Sequence, residues 1–210
     1  MTPYYEDDSV TIYHGDCRDV LPSVEGMELG FADPPYNYGF DYGEEFDDKR
    51  PAEEYEAWCG EWFDLLRASC NRVCVTSGYG NMAQWLARKP AGVAAWYKPG
   101  NPSGAGIFQF CEWEPVFVWG AGRIGGSDVW KATINPGFKG PTGHPCPKPE
   151  LLIRRIIAAT KATTLVDPFM GSGTSLRAAK DMGVRAIGIE RNERYCEIAA
   201  KRMAQEVLAL

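Results

Sequence analysis

At 210 residues with 45% hydrophobic side chains, the chain is long enough to bury a full core as one domain. No apolar run approaches the roughly eighteen residues of a membrane span, and the polar start over 1–8 reads as no signal peptide, so a soluble cytoplasmic protein with no membrane partner is expected. The net charge of −6 weighs against a general polyanion binder, and seven scattered cysteines offer neither a disulfide framework nor zinc-site spacing, so no metal is expected.

In chain order, the β-branched and aromatic run over 10–14 reads as a strand ended by Gly15-Asp16, and 17–21 as a short helix closed by Pro22. A second strand over 29–32 is apolar enough to be buried. It stops at Asp33-Pro34-Pro35, because prolines lack an N–H and hold φ fixed. Residues 38–50 are Gly-rich and acidic without apolar periodicity, which suits a lid beside Asp33 or a plain surface loop. The spacing of Tyr55, Trp58, Trp62, Phe63, Leu65 and Leu66 predicts a helix over 51–68 whose aromatic stripe packs in the core. A buried strand over 72–76, a break at 78–80, a helix over 82–88, and strands over 93–97 and 115–119 follow.

Residues 99–114 and 120–149 are rich in Gly, Pro, Trp and Lys and show little periodicity. Lys98, Arg123, Lys131, Lys139 and Lys148 interleave there with Trp113, Trp119, Trp130 and Phe138. The mixture suits phosphate contact with base stacking, or equally a solvated face over half-buried aromatics. An amphipathic helix over 150–161, a strand over 164–166, a helix over 175–182, a strand over 185–189 and a long helix over 193–208 complete the chain. From Thr164 onward the order is strand, Gly-containing turn, helix, strand ending in an acid, which is the βαβ unit of nucleotide-binding type.

Two stretches carry the chemistry. Asp33-Pro34-Pro35-Tyr36-Asn37 stands at the carboxyl end of a predicted strand, where open α/β sheets bind ligands. Its carboxylate and a carbonyl freed by proline can accept hydrogen bonds from an exocyclic amine while an aromatic ring stacks on a flat base. Alone, such a turn is a loop signal. Asp167-Pro168-Phe169-Met170-Gly171-Ser172-Gly173-Thr174 adds a ligand, because Gly171 and Gly173 let backbone approach it closely and Glu190 can take the hydroxyls of a ribose. The turn lacks the third Gly of a dinucleotide site and the Gly-Lys-Ser/Thr of a phosphate loop. A nucleoside without phosphate is therefore the expected ligand.

Together the two stretches resemble the catalytic loop and cofactor site of S-adenosylmethionine-dependent amino-group DNA methyltransferases, which act on adenine N6 or cytosine N4. With the catalytic loop first, the order resembles the permuted β class. Tyr13 to Cys17, Trp96 to Pro99, Val129-Trp130, His144 to Glu150 and Gly188 to Asn192 agree in the same order, so the resemblance covers nearly the whole chain. It implies an α/β, Rossmann-like class I methyltransferase fold, circularly permuted, with about seven strands in a mostly parallel sheet and helices on both faces. It implies one domain over 1–210, made of a catalytic-loop half over 1–98, short target-recognition loops around one strand over 99–149, and a cofactor half over 150–210.

Carried over residue by residue, the resemblance implies that Asp33 and the Pro34 carbonyl accept from the target amine, with Pro35 in the same catalytic turn. Tyr36 would stack on a base flipped out of the duplex. Asp167, Phe169, Gly171, Gly173 and Thr174 would line the cofactor site, Glu190 would take the ribose, Asp16 would approach the adenine, and Asn37 and Lys148 would hold the methionine end. Alignment of the amine, more than strong basicity, is the implied contribution of Asp33.

The implied activity is site-specific methylation of double-stranded DNA, at adenine N6 ahead of cytosine N4 because Asp and not Ser precedes Pro-Pro-Tyr. Methylation of an RNA base, and a non-catalytic relative that binds cofactor or DNA, are the alternatives. The region over 99–149 has room for a few loops and no separate recognition domain; a homodimer and a partner restriction nuclease stay open. Cys146 could suggest the nucleophile of cytosine C5 methylation, but it lies in a cofactor-side stretch where Thr-Gln more often stands in place of Cys146-Pro147.

Overall fold

The computed structural model describes residues 1–39, 48–101, 107–133 and 148–205. Among them are the strands β1 (Tyr5–Glu6), β2 (Val10–His14), β3 (Met27–Ala32), β4 (Cys70–Thr76), β5 (Gly92–Tyr97), β6 (Trp113–Gly120), β7 (Val129–Lys131), β8 (Thr164–Asp167) and β9 (Arg185–Glu190). They form one sheet in the order β1-β2-β9-β8-β3-β4-β6-β5-β7. The middle five, from β2 to β4, run parallel. β6 runs antiparallel to both β4 and β5, β7 follows β5 in parallel, and β1 is an antiparallel edge.

The sheet is the expected mostly parallel one, and its two strands beyond seven are β1 and β7. At two and three residues they are too short to show alternation in the sequence. The stretch over 99–149 accordingly supplies two strands, with β6 inside the sheet and not in a loop region.

Six α-helices lie among the described residues: α1 (Cys17–Val20), α2 (Ala52–Ser69), α3 (Met82–Ala87), α4 (Glu150–Thr160), α5 (Thr174–Asp181) and α6 (Glu193–Met203). Sequence explains their limits. Pro51 precedes α2, whose first turn carries Glu53 and Glu54 and whose last turn carries Arg67, each charge suited to the helix end it faces. The Asn192 side chain caps α6 by accepting from the Arg194 N–H. That helix ends at Met203, short of the expected 208, of which 206–208 lie outside the described residues. No helix among the described residues is long and apolar enough to cross a membrane.

Alternation along the strands feeds two cores. Leu29, Phe31, Cys74, Val116, Val118 and Leu165 face a layer built from α4, α5 and α6. Ala32, Val73, Val75, Phe117, Trp119 and Val166 face α1, α2 and α3. The aromatic stripe of α2 packs where periodicity put it, with Trp62 fully buried among Trp58, Phe63, Trp85 and the Phe169 ring, whose centroid is 4.9 Å away.

The functional consequence lies at the join of β3 and β8. From β3 the chain passes through α2 to β4 on one side, and from β8 it passes through α5 to β9 on the other. The carboxyl ends of β3 and β8 therefore flank a topological switch point, the usual ligand crevice of an open α/β sheet. Trp62→Ala is expected to lower stability by roughly 3–5 kcal/mol through cavity formation, read as a lower urea midpoint at unchanged m value.

Candidate active site

Asp33 follows the last residue of β3, and its side chain is 20% exposed, open enough to meet a ligand. Its two carboxylate oxygens have different surroundings. Oδ1 accepts from Thr76 Oγ1 at 2.5 Å and from the Tyr36 hydroxyl at 3.0 Å, and it lies 2.8 Å from Lys148 Nζ. Among the described residues no donor reaches Oδ2, and none reaches the neighbouring Pro34 carbonyl. Pro35 differs, since its carbonyl accepts from Tyr55 OH at 2.7 Å, which ties the turn to α2. The Asn81 side chain donates to the Tyr36 carbonyl at 2.9 Å, and Lys148 Nζ stands 4.8 Å from the centre of the Tyr36 ring. Burial, then the charges of Asp33 and Glu114, push the Tyr36 hydroxyl well up, so it remains a donor.

Asp167 ends β8 beside this turn and is 2% exposed. It accepts from the Phe169 N–H at 2.9 Å and from the Ser175 hydroxyl, and so ties the turn to α5. Burial pushes its carboxyl up to about 7; those two donors oppose the rise, and the charges of Asp33 and Glu190 add to it. Glu190, at the end of β9, accepts from the Gly171 N–H at 3.0 Å and the Asn192 N–H at 2.8 Å. Gly173 holds φ +80° at the start of α5, where a Cβ would meet Ala199 Cβ at 2.9 Å, so no other residue fits both the backbone and the contact. Thr174 begins α5, and Phe169 packs its ring on Trp58 and Trp62.

The other expected residues lie on the same rim with partners of their own. Asp16 caps α1 and pairs with Arg18 at 2.8 Å, and Arg18 continues to Glu61. Asn37, at φ +61°, exchanges hydrogen bonds of 2.8 Å in both directions with the backbone of Arg50. It thereby clasps the two ends of the acidic loop, whose residues 40–47 lie outside the described ones. Lys148, expected toward a cofactor, faces Asp33.

Sequence reading missed two side chains, Thr76 and Glu114, and read a third, Lys98, only as one cation of a basic stretch. Thr76, fully buried at the end of β4, holds Asp33; Glu114 of β6 lies 3.4 Å from the Tyr36 hydroxyl; and Lys98, 4% exposed, pairs with Glu114. Of the interleaved cations and rings, Trp119 and Trp130 are buried in the core and Lys98 is enclosed, whereas Trp113 is exposed. Phe138, Lys139 and the 144–147 stretch with Cys146 lie outside the described residues.

Solved structures share this open α/β sheet with its turns meeting at the switch point. The fold matches the cytosine-N4-specific PvuII DNA methyltransferase with a TM-score of 0.76 at 16% identity, covering 99% of this chain and 90% of that one. It matches M1.HpyAVI in its complex with SAM at 0.68 and 20%, covering 93% and 100%. A family model described as DNA methylase, of the N6/N4 methyltransferase type, matches residues 122–201. The chain is 26% identical over 266 residues to the type II methyltransferase M.ScaI of Streptomyces caespitosus, covering 99% of this chain and 86% of that one. It is 27% identical over 247 residues to the type II methyltransferase M2.LlaDCHI of Lactococcus lactis subsp. cremoris, covering 96% and 91%. Over nearly its whole length the chain is thus similar to type II DNA methyltransferases, and over residues 122–201 to the N6/N4 DNA methylase model.

The raised carboxyl of Asp167 has a consequence for stability. Its folded-state value of about 7 exceeds the ordinary 3.8, so between these limits the folded protein keeps a proton that the unfolded chain has lost. Its contribution is fully present below pH 3.8 and is lost as pH rises through about 7. Relative to wild type, Asp167→Asn is therefore expected to gain roughly 2–4 kcal/mol of stability between pH 4 and pH 8. Urea unfolding of both proteins across that range measures it, and parallel curves would remove the assignment.

Proposed function

We propose that the enzyme transfers the methyl group of S-adenosylmethionine to the exocyclic amino nitrogen of a base flipped from double-stranded DNA, in the first place adenine N6. The asymmetry of Asp33 carries this reading. Its Oδ1 is held by Thr76, Tyr36 and Lys148, whereas Oδ2 and the Pro34 carbonyl have no donor among the described residues. Two adjacent acceptors complement the two N–H donors of an exocyclic amine. Bonds to both hydrogens fix the amine's orientation and leave the nitrogen lone pair free for attack. Because Oδ1 is already held, the carboxylate need not reorganise when the amine arrives. Oδ2 is also the acceptor nearest the proton that the nitrogen must release. Tyr36 supplies the ring for stacking beside this carboxylate.

When bound, S-adenosylmethionine supplies a methyl group on a positively charged sulfur. The residues present fit such a ligand. Glu190 accepts from the Gly171 and Asn192 N–H groups, which hold its carboxylate at the end of β9, where a carboxylate can accept from ribose hydroxyls. Gly171 and Gly173, both at positive φ, keep the turn free of side chains. The negative field that helps raise Asp167 favours a cationic nucleoside and opposes one bearing phosphates. Asp16 and Phe169 flank this region, and Asn37 with Lys148 stands on the Asp33 side.

The Asp ahead of Pro-Pro-Tyr supports adenine N6. Cytosine N4 offers the same two donors to the same acceptors, and the likeness to the PvuII fold makes it the second reading. Transfer of labelled methyl to unmethylated duplex DNA at low salt, followed by digestion and mass identification, decides between them. N6-methyladenine is expected, N4-methylcytosine would change the base and keep the mechanism, and no product despite cofactor binding would overturn the proposal.

Two substitutions separate the halves of the site. Asp33→Ala is expected to lower kcat by about a hundredfold or more while cofactor affinity in calorimetry changes by less than about threefold. Glu190→Ala is expected to weaken the cofactor by roughly ten- to a hundredfold, and equal affinities would remove the ribose assignment.

A further inference from the structure

Tyr36 stands between two carboxylates, and its hydroxyl carries one proton. Asp33 Oδ1 lies at 3.0 Å and Glu114 Oε2 at 3.4 Å, so only one of them receives that proton at a time. The other faces an oxygen lone pair, which is repulsive. Which arrangement prevails depends on what else holds each acid.

Glu114 is held by a buried lysine. Lys98 Nζ lies 2.5 Å from Glu114 Oε1 and 4.9 Å from the centre of the Trp96 ring, and the Lys98 side chain is 5% exposed. Its main chain is anchored as well, since the Lys98 N–H donates to the Glu112 carbonyl at 2.6 Å. Trp96 lies opposite Glu114 in the β5–β6 register, and Lys98 follows directly after the end of β5. Burying a lysine without a function is costly, because an ion pair of this kind often does no better than apolar residues of the same volume. A role beyond stability is the more economical account of it.

We infer that the buried Lys98–Glu114 pair is the positioning element for Tyr36, setting the hydroxyl proton on Asp33 in the free enzyme and offering it a second acceptor when the target amine engages Asp33. Lys98 holds Glu114 by its other oxygen, Oε1, and so keeps Oε2 at 3.4 Å from the hydroxyl while Asp33 Oδ1 takes the shorter contact at 3.0 Å. When the amine donates to Asp33, the competition on the carboxylate grows, and the hydroxyl can turn to Glu114 Oε2 with little movement of the ring. Lys98 and Glu114 touch neither base nor cofactor in this account; they act through Tyr36. Lys148 works from the other side, with its Nζ 4.8 Å from the Tyr36 ring and 5.5 Å from that of Trp96. Tyr36 is thus bracketed by two ion pairs that share Trp96 as a wall.

The inference rests on the proposed methyl transfer, and a double-mutant cycle tests it separately. Glu114→Gln is made in the wild-type background and in Tyr36→Phe, with methyl transfer to duplex DNA measured at saturating cofactor. Glu114→Gln is expected to lower kcat roughly tenfold when the Tyr36 hydroxyl is present and less than about twofold in Tyr36→Phe, with cofactor affinity unchanged in both. Equal losses in the two backgrounds would assign Glu114 a merely structural role and overturn the inference. Since Glu114→Gln leaves Lys98 without a counter-charge, Lys98→Met combined with Glu114→Gln is run through the same cycle and should show the same dependence on the hydroxyl. Tyr36→Phe itself should retain measurable turnover, because Thr76 and Lys148 still hold Asp33; complete loss would mean that the hydroxyl takes part in the chemistry and would overturn the positioning role. Absence of transfer by the wild-type enzyme would defeat the proposed function instead, so the two failures are distinguishable.

Discussion

The parallel pairing of β3 with β8 is the constraint from which the site follows. Leu29 lies opposite Leu165 and Gly30 opposite Val166, although these strands are distant in the chain. That register brings their carboxyl ends level, so Asp33 and Asp167 emerge side by side where the connections diverge. Slipping β3 by one residue would turn Leu29 and Phe31 away from the α4–α6 layer and move Asp33 with them. Apolar packing on both faces of the sheet thus sets the geometry of charged groups at its edge.

Gathering acids on one rim carries an electrostatic cost, and each acid is compensated differently. Asp33 has Lys148 with two hydroxyls, Glu114 has Lys98, Asp16 has Arg18, and Glu190 has two backbone N–H groups. Asp167, enclosed in the turn, relies on Ser175 and a backbone N–H, and its carboxyl rises to about 7. Asp33 and Glu190 nonetheless act together on Asp167, while the acids are individually held in place. Concentrating like charge in this way is a common cost of function to stability.

The division of labour within the rim is by strand. The ends of β8 and β9 are joined through Gly171 and Glu190 into a surface free of large side chains at the glycines, suited to a nucleoside. The ends of β3, β4, β5 and β6 contribute Asp33, Thr76, Lys98 and Glu114, a hydrogen-bonded group centred on Tyr36. β6, antiparallel to its neighbours, starts at this rim instead of ending there, and so delivers Glu114 from its first turn of chain.

The sequence alone determined the seven longer strands, the aromatic stripe of α2, and the two acidic turns, because each is a local pattern: apolar runs, helical spacing, proline stops and glycine turns. It also carried the resemblance to amino-group DNA methyltransferases through the order of those turns. Tertiary structure alone decided that Thr76, Lys98 and Glu114 belong with Asp33, that Lys148 faces the carboxylate, and that Trp119 and Trp130 are core. None of these has a local signature. A buried threonine at a strand end and a lysine after a strand read as ordinary residues, and which acid each meets is set by sheet order and register. Those in turn arise from long-range apolar pairing, which a stretch of sequence read by itself does not contain.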